Sequence, residues 1–169
     1  MKMELIQPFI NAADAVLSEL LRCSTKIGDL SMEEETYRRK GVAAMITIRG
    51  DIEGRVIFDL APSTAIAVAS RLAGEPMEES AELVQETIFE LANQIIGNAV
   101  TSLNDGGFRF HISPPEPHSA DRGTSSSEDT EALVMCLDTP NGGVFMNIAM
   151  HYNRRRKAER EAVVVGSSY

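Results

Sequence analysis

The chain lacks tryptophan altogether, and aromatic residues make up only 5% of its 169 positions. Aliphatic side chains and the eight methionines must therefore fill whatever core it builds. Cysteine is nearly absent. Cys23 and Cys136 are too few for a disulfide framework and read as reduced, semi-buried thiols of a cytoplasmic protein. No stretch approaches the roughly 18 apolar residues that a membrane span needs. Glu4 and Pro8 interrupt the N-terminal apolar residues, so no signal peptide is expected. Basic residues are short too: 16 Lys and Arg face 25 Asp and Glu, for a formal charge of −9. Phosphate backbones need a basic face, so this balance argues against nucleic acid. The familiar catalytic signatures are missing as well. The chain holds no P-loop, no dinucleotide-binding glycine pattern, no H-E-x-x-H, no C-x-x-C and no G-x-S-x-G elbow. Of the three histidines, His111 and His118 flank a proline-rich turn and His151 ends a strand-like run, so they read as structural rather than as a zinc site. No repeat of solenoid period is present.

What is there suits one domain, because 169 residues with 43% apolar content are enough for a real core. Leu5, Phe9, Ala13, Val16, Leu17 and Leu20 follow helical spacing over 4–22, with Pro8 in the first turn where a missing N–H is harmless. Residues 24–41 are polar and irregular and read as a loop or a weak edge strand. Two β-rich runs, Val42–Ile48 and Gly54–Leu60, flank a glycine-bearing link and predict a hairpin. Ala61-Pro62-Ser63-Thr64 starts a helix that Gly74 ends, and a longer helix is expected from about Met77 to Leu103, stopped by Gly106-Gly107. A short strand over Phe108–Ile112 breaks at Pro114-Pro115. Residues 119–131 are almost free of apolar side chains and read as a mobile loop. A last hairpin pairs Ala132–Leu137 with Val144–His151, turning through Thr139–Gly143. The tail, 153–169, carries five basic residues against two acidic ones. It reads as a solvated extension, with a continued terminal strand or a fold-back onto the acidic body as alternatives. The order predicts an α+β fold over 1–152, a largely antiparallel sheet packed with three helices, one of them long.

The long helix carries the informative pattern. At about 100° per residue, Glu86, Glu90, Asn93 and Gly97 fall in a stripe about 60° wide. Val84, Ile88, Leu91, Ile95 and Ala99 lie on the opposite side. Glu90 and Asn93 stand at i and i+3, with β-carbons roughly 5–6 Å apart. Gly97 leaves a gap one turn further on. A glycine inside a helix costs about 1 kcal/mol relative to alanine, so it asks for a reason.

The segment from Glu86 to Ala99, with its E-x-x-N…G pattern, resembles the active-site helix of the CheC/CheX/FliY phosphatases of bacterial chemotaxis. Pro114 and Pro115 follow Asn93 by 21 and 22 residues, where the CheX branch has its proline. Ile48–Val56 looks like that family's glycine-bearing hairpin, Gln7–Ala12 like its opening helix, and Ala73–Pro76 like its glycine-ended second helix. Asn11 has Pro8 three residues before it, so the second E-x-x-N centre of the CheC branch is missing. The sequence departs from the pattern at Glu86, where the family usually has Ser or Asp, and in Glu116–Ala120, where it usually has a closing glycine.

The resemblance implies hydrolysis of the phospho-aspartate of a CheY-type receiver domain. Asn93 would orient the attacking water, and Glu90 would pair with a lysine of the receiver. Glu86, Gly97, Pro114 and Pro115 would contact the partner. No cofactor would be bound by the chain itself, because the receiver brings its own Mg²⁺. CheX-like proteins are homodimers, and the strand near Val144–His151 is expected at a sheet edge where a second copy pairs. The alternative is a receiver-binding adaptor or a flagellar-switch-like interaction module without turnover.

Overall fold

A computed structural model describes residues 3–33, 40–78, 82–118, 132–155 and 162. It is an α+β fold of three helices and a seven-stranded antiparallel sheet. Helix α1 (Met3–Leu21) leads into strand β1 (Lys26–Glu33). Strands β2 (Val42–Gly50) and β3 (Ile52–Leu60) form the expected hairpin, in register from Val42↔Leu60 to Ile48↔Gly54. Helix α2 (Pro62–Ala73) and helix α3 (Glu82–Asp105) follow, then β4 (Phe110–Ile112), β5 (Glu116–Pro117), β6 (Ala132–Thr139) and β7 (Gly142–Tyr152). The sheet order is β1-β6-β7-β3-β2-β4, with β5 also paired to β2. No helix among the described residues is long and apolar enough to cross a membrane.

Period-two alternation divides the sheet's side chains. Ala44, Ile46 and Ile48 of β2, Val56, Phe58 and Leu60 of β3, and Val144, Met146 and Ile148 of β7 point to the helices and are all buried. The helices answer with Leu5, Phe9, Ala13 and Leu17 of α1 and Ile88, Leu91, Ile95 and Ala99 of α3. On the other face, Ala43 and Ile57 make a separate small cluster with Met45. There the Arg55 guanidinium donates to the Asn147 side-chain oxygen, and burial lowers the Arg55 pKa from its usual value.

Several expectations need correction. Strand β7 is not at an edge. It pairs with β6 on one side and along its length with β3 on the other, from Ile52↔Tyr152 to Leu60↔Val144. Its apolar residues on both faces suit an interior strand, since Ile148, Ala149 and Met150 are all buried. Among the described residues the edges are β1, which realises the edge-strand reading of residues 24–41, and the β4–β5 segment. Helix α3 starts at Glu82, and Met77 and Glu78 are not helical. The Met77 N–H donates to the Ser70 hydroxyl at 2.9 Å, which folds this link back onto α2. Strand β5 was unforeseen: two residues are too few to show a pattern. The predicted mobile loop 119–131 and residues 156–161 and 163–169 of the tail lie outside the described residues; Arg154 and Arg155 are helical, so the terminal strand does not continue into the tail. At the tail's start, Asn153 donates its backbone N–H to the Asp51 carbonyl and its side chain to Glu53.

Helices α1, α2 and α3 each end in a left-handed residue. Gly74 closes α2 at φ +75°, donating to the Ser70 carbonyl, and Gly107 closes α3 at φ +94°. At the end of α1 that position is Arg22, φ +48°, and the Cys23 N–H reaches back to the Ser18 carbonyl at 3.2 Å. This is the Schellman geometry, in which glycine is the preferred residue. The Arg71 Nε donates to the Leu21 carbonyl at 3.2 Å and fastens this helix end to α2. A non-glycine residue in the left-handed region costs about 1–2 kcal/mol, partly offset because arginine restricts the unfolded chain more than glycine does. Arg22→Gly is therefore expected to raise unfolding stability by about 0.5 kcal/mol, read by urea titration against wild type.

The far end of the helix layer is tied to the sheet through Tyr152. Its hydroxyl donates to the Glu4 carboxylate, and its ring lies 5.8 Å from that of Phe108. Burial first, and then the hydrogen bond and charge of Glu4, push the phenol pKa up to about 12. The folded pKa is raised above the ordinary value of 10.0. The clamp's contribution is thus fully present below pH 10 and is lost as pH rises towards 12. In an ultraviolet titration of the folded protein, one phenolate step is expected near pH 12. Tyr152→Phe should remove that step.

Candidate functional site

Helix α3 is 24 residues long, about 36 Å. Val84, Ile88, Leu91, Ala92, Ile95, Ile96, Ala99 and Leu103 are buried along it, which sets its rotation against α1 and the sheet. With those residues inward, Glu86, Glu90 and Asn93 are exposed, and Gly97 is half-buried. The structure thus brings these four predicted residues together on one outward stripe. Pro114 and Pro115 belong to a different element, the edge segment between β4 and β5. There Ser113 exchanges two hydrogen bonds of 2.9 Å with Thr47: its N–H donates to the Thr47 carbonyl, and its hydroxyl accepts from the Thr47 N–H.

The side chains of Glu86, Glu90 and Asn93 make no hydrogen bond or ion pair among the described residues, so their polar atoms face outward uncommitted. Neighbouring hydroxyls are already occupied. Thr87 donates to the Leu83 carbonyl at 2.6 Å, and Thr101 to the Gly97 carbonyl at 3.0 Å. A β-carbon added at Gly97 would meet nothing within 4 Å. The glycine is therefore not demanded by packing inside the chain. It leaves bare helix backbone one turn beyond Asn93.

Two tethers hold the end of α3. The Phe108 N–H returns to the Leu103 carbonyl at 3.3 Å. One residue on, the backbone N–H of Arg109 donates to the buried Asp51 carboxylate at 2.8 Å, and the Asp51 N–H to the Arg109 carbonyl at 2.8 Å. Asp51 is the link of the β2–β3 hairpin, so the helix that carries the stripe is anchored to the sheet by a reciprocal pair. Sequence reasoning missed this residue, although a carboxylate beside glycine in a tight link is a signal for capping such a turn.

On one side of the stripe, a groove of about 300 Å³ opens beside Glu90, between α3 and the C-terminal ends of α1 and α2. Among the described residues, no three His, Cys, Asp or Glu side chains are grouped to hold a metal ion. The histidines are dispersed: His111 is exposed in β4, His118 is buried beside β2, and His151 lies 3.6 Å from Glu53. The arrangement offers a carboxylate and an amide in fixed relation on a rigid, accessible helix. It suits binding and orienting a group presented by a partner surface better than enclosing a small molecule.

The family model for chemotaxis phosphatase CheX matches residues 42–137. A chain of the CheX–CheY–BeF3–Mg²⁺ complex from Borrelia burgdorferi is 31% identical, with 89% of this chain and 99% of that chain covered at a TM-score of 0.73. A CheC-like superfamily protein from Shewanella sp. PV-4 shares the fold at a TM-score of 0.78 and 22% identity, covering 89% of this chain and 99% of that one. CheX from Desulfovibrio desulfuricans does so at 0.75 and 21%, covering 88% and 99%. No curated protein matches. The match over more than half the chain, with the agreement in fold, establishes that this chain belongs to the CheX family of chemotaxis phosphatases.

Proposed function

We propose that the protein hydrolyses the phospho-aspartate of a CheY-type receiver domain, with Asn93 and Glu90 as its working side chains. The observation that carries this reading is the pairing of an uncommitted carboxylate and an uncommitted amide, side by side on α3, in a chain of the CheX family. The complex of a 31% identical CheX with CheY supports the class of partner.

The chemistry asks little of the enzyme. An acyl phosphate is activated already, so hydrolysis needs a water in line with the phosphorus and compensation for the phosphoryl charge. The receiver would supply Mg²⁺ and its own lysine for the charge, leaving this chain to supply position. The Asn93 side-chain oxygen accepts a hydrogen bond from the attacking water. The water's oxygen bonds to phosphorus as the bond to the aspartyl oxygen breaks, releasing a carboxylate and inorganic phosphate, and the water's proton passes to solvent. Glu90 pairs with the receiver's lysine in a charge-assisted contact that fixes the helix over the site. Glu86 adds a second negative charge one turn before it, and Gly97 lets the partner's surface approach the helix backbone. Pro114 and Pro115 would support the contact from the edge segment. Two copies of the chain would pair through a sheet edge, β1 or the β4–β5 segment among the described residues.

The test is the decay of a phosphorylated, Mg²⁺-loaded receiver from the same genome, with and without this protein. Wild type is expected to accelerate it. Asn93→Ala should cost about two orders of magnitude in turnover, the usual penalty for lost positioning, with receiver binding kept. Glu90→Ala should weaken binding about tenfold or more and lower turnover as well. Unchanged decay with Asn93→Ala sinks the assignment, and binding without acceleration by wild type marks the adaptor reading instead. Gly97→Ala gives a separate expectation. It should stabilise the fold by about 0.5–1 kcal/mol, because its methyl group meets nothing. It should also weaken receiver binding, measured by calorimetric titration, because the methyl group occupies the approach surface.

A further inference from the structure

The groove beside Glu90 does not end there. Leu20, Leu72 and Ala73 form its wall opposite Glu90 and Gln94. A second depression of about 970 Å³ shares Leu20 and Leu72 and continues past Arg22 and Arg71 to residues 74–77. Along this surface the chemistry changes in order. Carboxylates stand on the α3 stripe, apolar side chains in the middle, and two guanidinium groups with the single carboxylate of Glu75 at the far end.

Three features mark it as built for a partner rather than left over from packing. Leu20 is 36% exposed, whereas its neighbours Leu17 and Leu21 already serve the core. Arg22 occupies the left-handed helix end where Gly74 and Gly107 stand in the other two helices. Neither Arg22 nor Arg71 has an acidic partner among the described residues, although Glu75 lines the same depression. The walls are also fixed in advance. The Arg71 bond to the Leu21 carbonyl locks α1 to α2, and the Met77 bond to Ser70 holds the outer rim.

Resting on the function proposed above, we infer that this groove is a second docking element for the receiver domain, outside its phosphoryl site. It takes an apolar side chain between Leu20 and Leu72, with a carboxylate nearby against Arg22 and Arg71. Continuity identifies the occupant, because Glu90 lines both the stripe and the groove, and a domain seated over Asn93 overhangs it. Charge agrees: the stripe attracts a cation and the far end an anion, so opposite polarity at the two ends admits a partner in one orientation. The groove would then set which receiver is used, while Asn93 sets how fast it is hydrolysed.

The experiment compares Leu20→Gln, Arg22→Gly and the double variant with wild type and Asn93→Ala, using phosphorylated CheY-type receivers of the source genome. The two groove variants are expected to raise KM about fivefold to tenfold each, as removal of interface anchors does, with kcat within about twofold. Arg22→Gly should melt no lower than wild type, so its loss of affinity is not a loss of fold. Groove variants with wild-type KM, alongside an inactive Asn93→Ala, overturn this inference and leave the function standing. If wild type neither binds nor dephosphorylates any receiver, the function fails and the inference with it. If the variants instead change the sedimenting mass of the protein at unaltered KM, the groove seats a second copy of the chain, and the inference is also overturned.

Discussion

Burial of one stripe of α3 decides where every other part of the site can be. Val84, Ile88, Leu91, Ile95, Ile96 and Leu103 are all almost fully buried, and each aliphatic side chain of this size contributes roughly 1.5–3 kcal/mol when removed from water. Turning the helix by even a quarter of a revolution would bring part of that stripe into solvent. The opposite face therefore has no freedom. Glu86, Glu90, Asn93 and Gly97 point outward because the other stripe points inward, and a glycine worth about 1 kcal/mol against the helix is easily carried by such a seam.

A site that works by position needs its carrier held, and the fold holds α3 through the buried Asp51, whose carboxylate needs a partner. The helix end passes through the reciprocal Asp51–Arg109 bonds to the turn of the β2–β3 hairpin. Asn153 closes on the same turn from the end of β7. A buried carboxylate without a partner is costly, so the Asp51 bonds hold the link between helix and sheet in one arrangement. The β3–β7 pairing behind them is continuous over nine residue pairs and runs through the middle of the sheet, so the turn that anchors α3 is itself part of the sheet's interior ladder.

Local physics made most of this legible. The α3 stripe was readable because a helix repeats its environment every 3.6 residues, so that Glu90, Asn93 and Gly97 declare a common face from spacing alone. The hairpin of Val42–Leu60 was readable because its pairing is local. The place of β7 was not. Its partner β3 lies about ninety residues earlier in the chain, and no periodicity says which of two distant strands will be neighbours. Apolar residues on both faces of Phe145–Met150 were the available signal for an interior strand. The start of α3 escaped for a different reason: a single hydroxyl, Ser70, captures the Met77 N–H and holds the link in a non-helical path. The groove beside Glu90 was invisible because its walls come from three helices, the C-terminal ends of α1 and α2 and the body of α3, whose packing no local pattern specifies.

Two residues near the site break the local rule of the element they occupy, and they do so in opposite senses. Gly97 omits a side chain where a helix favours one and where space for one exists. Arg22 supplies a long side chain where the backbone favours none. Neither choice is explained by contacts within the described chain. One lies on the stripe beyond Asn93, and the other on the surface continuous with the groove beside Glu90. Local conflicts of this kind collect where a surface serves something outside the chain, since selection for stability alone would exchange them. A bare stretch of helix admits a neighbour closely, and an exposed guanidinium at the groove's far end attracts an acidic one. Taken together they describe one continuous surface shaped for a single large partner, with Glu90 and Asn93 between its two ends.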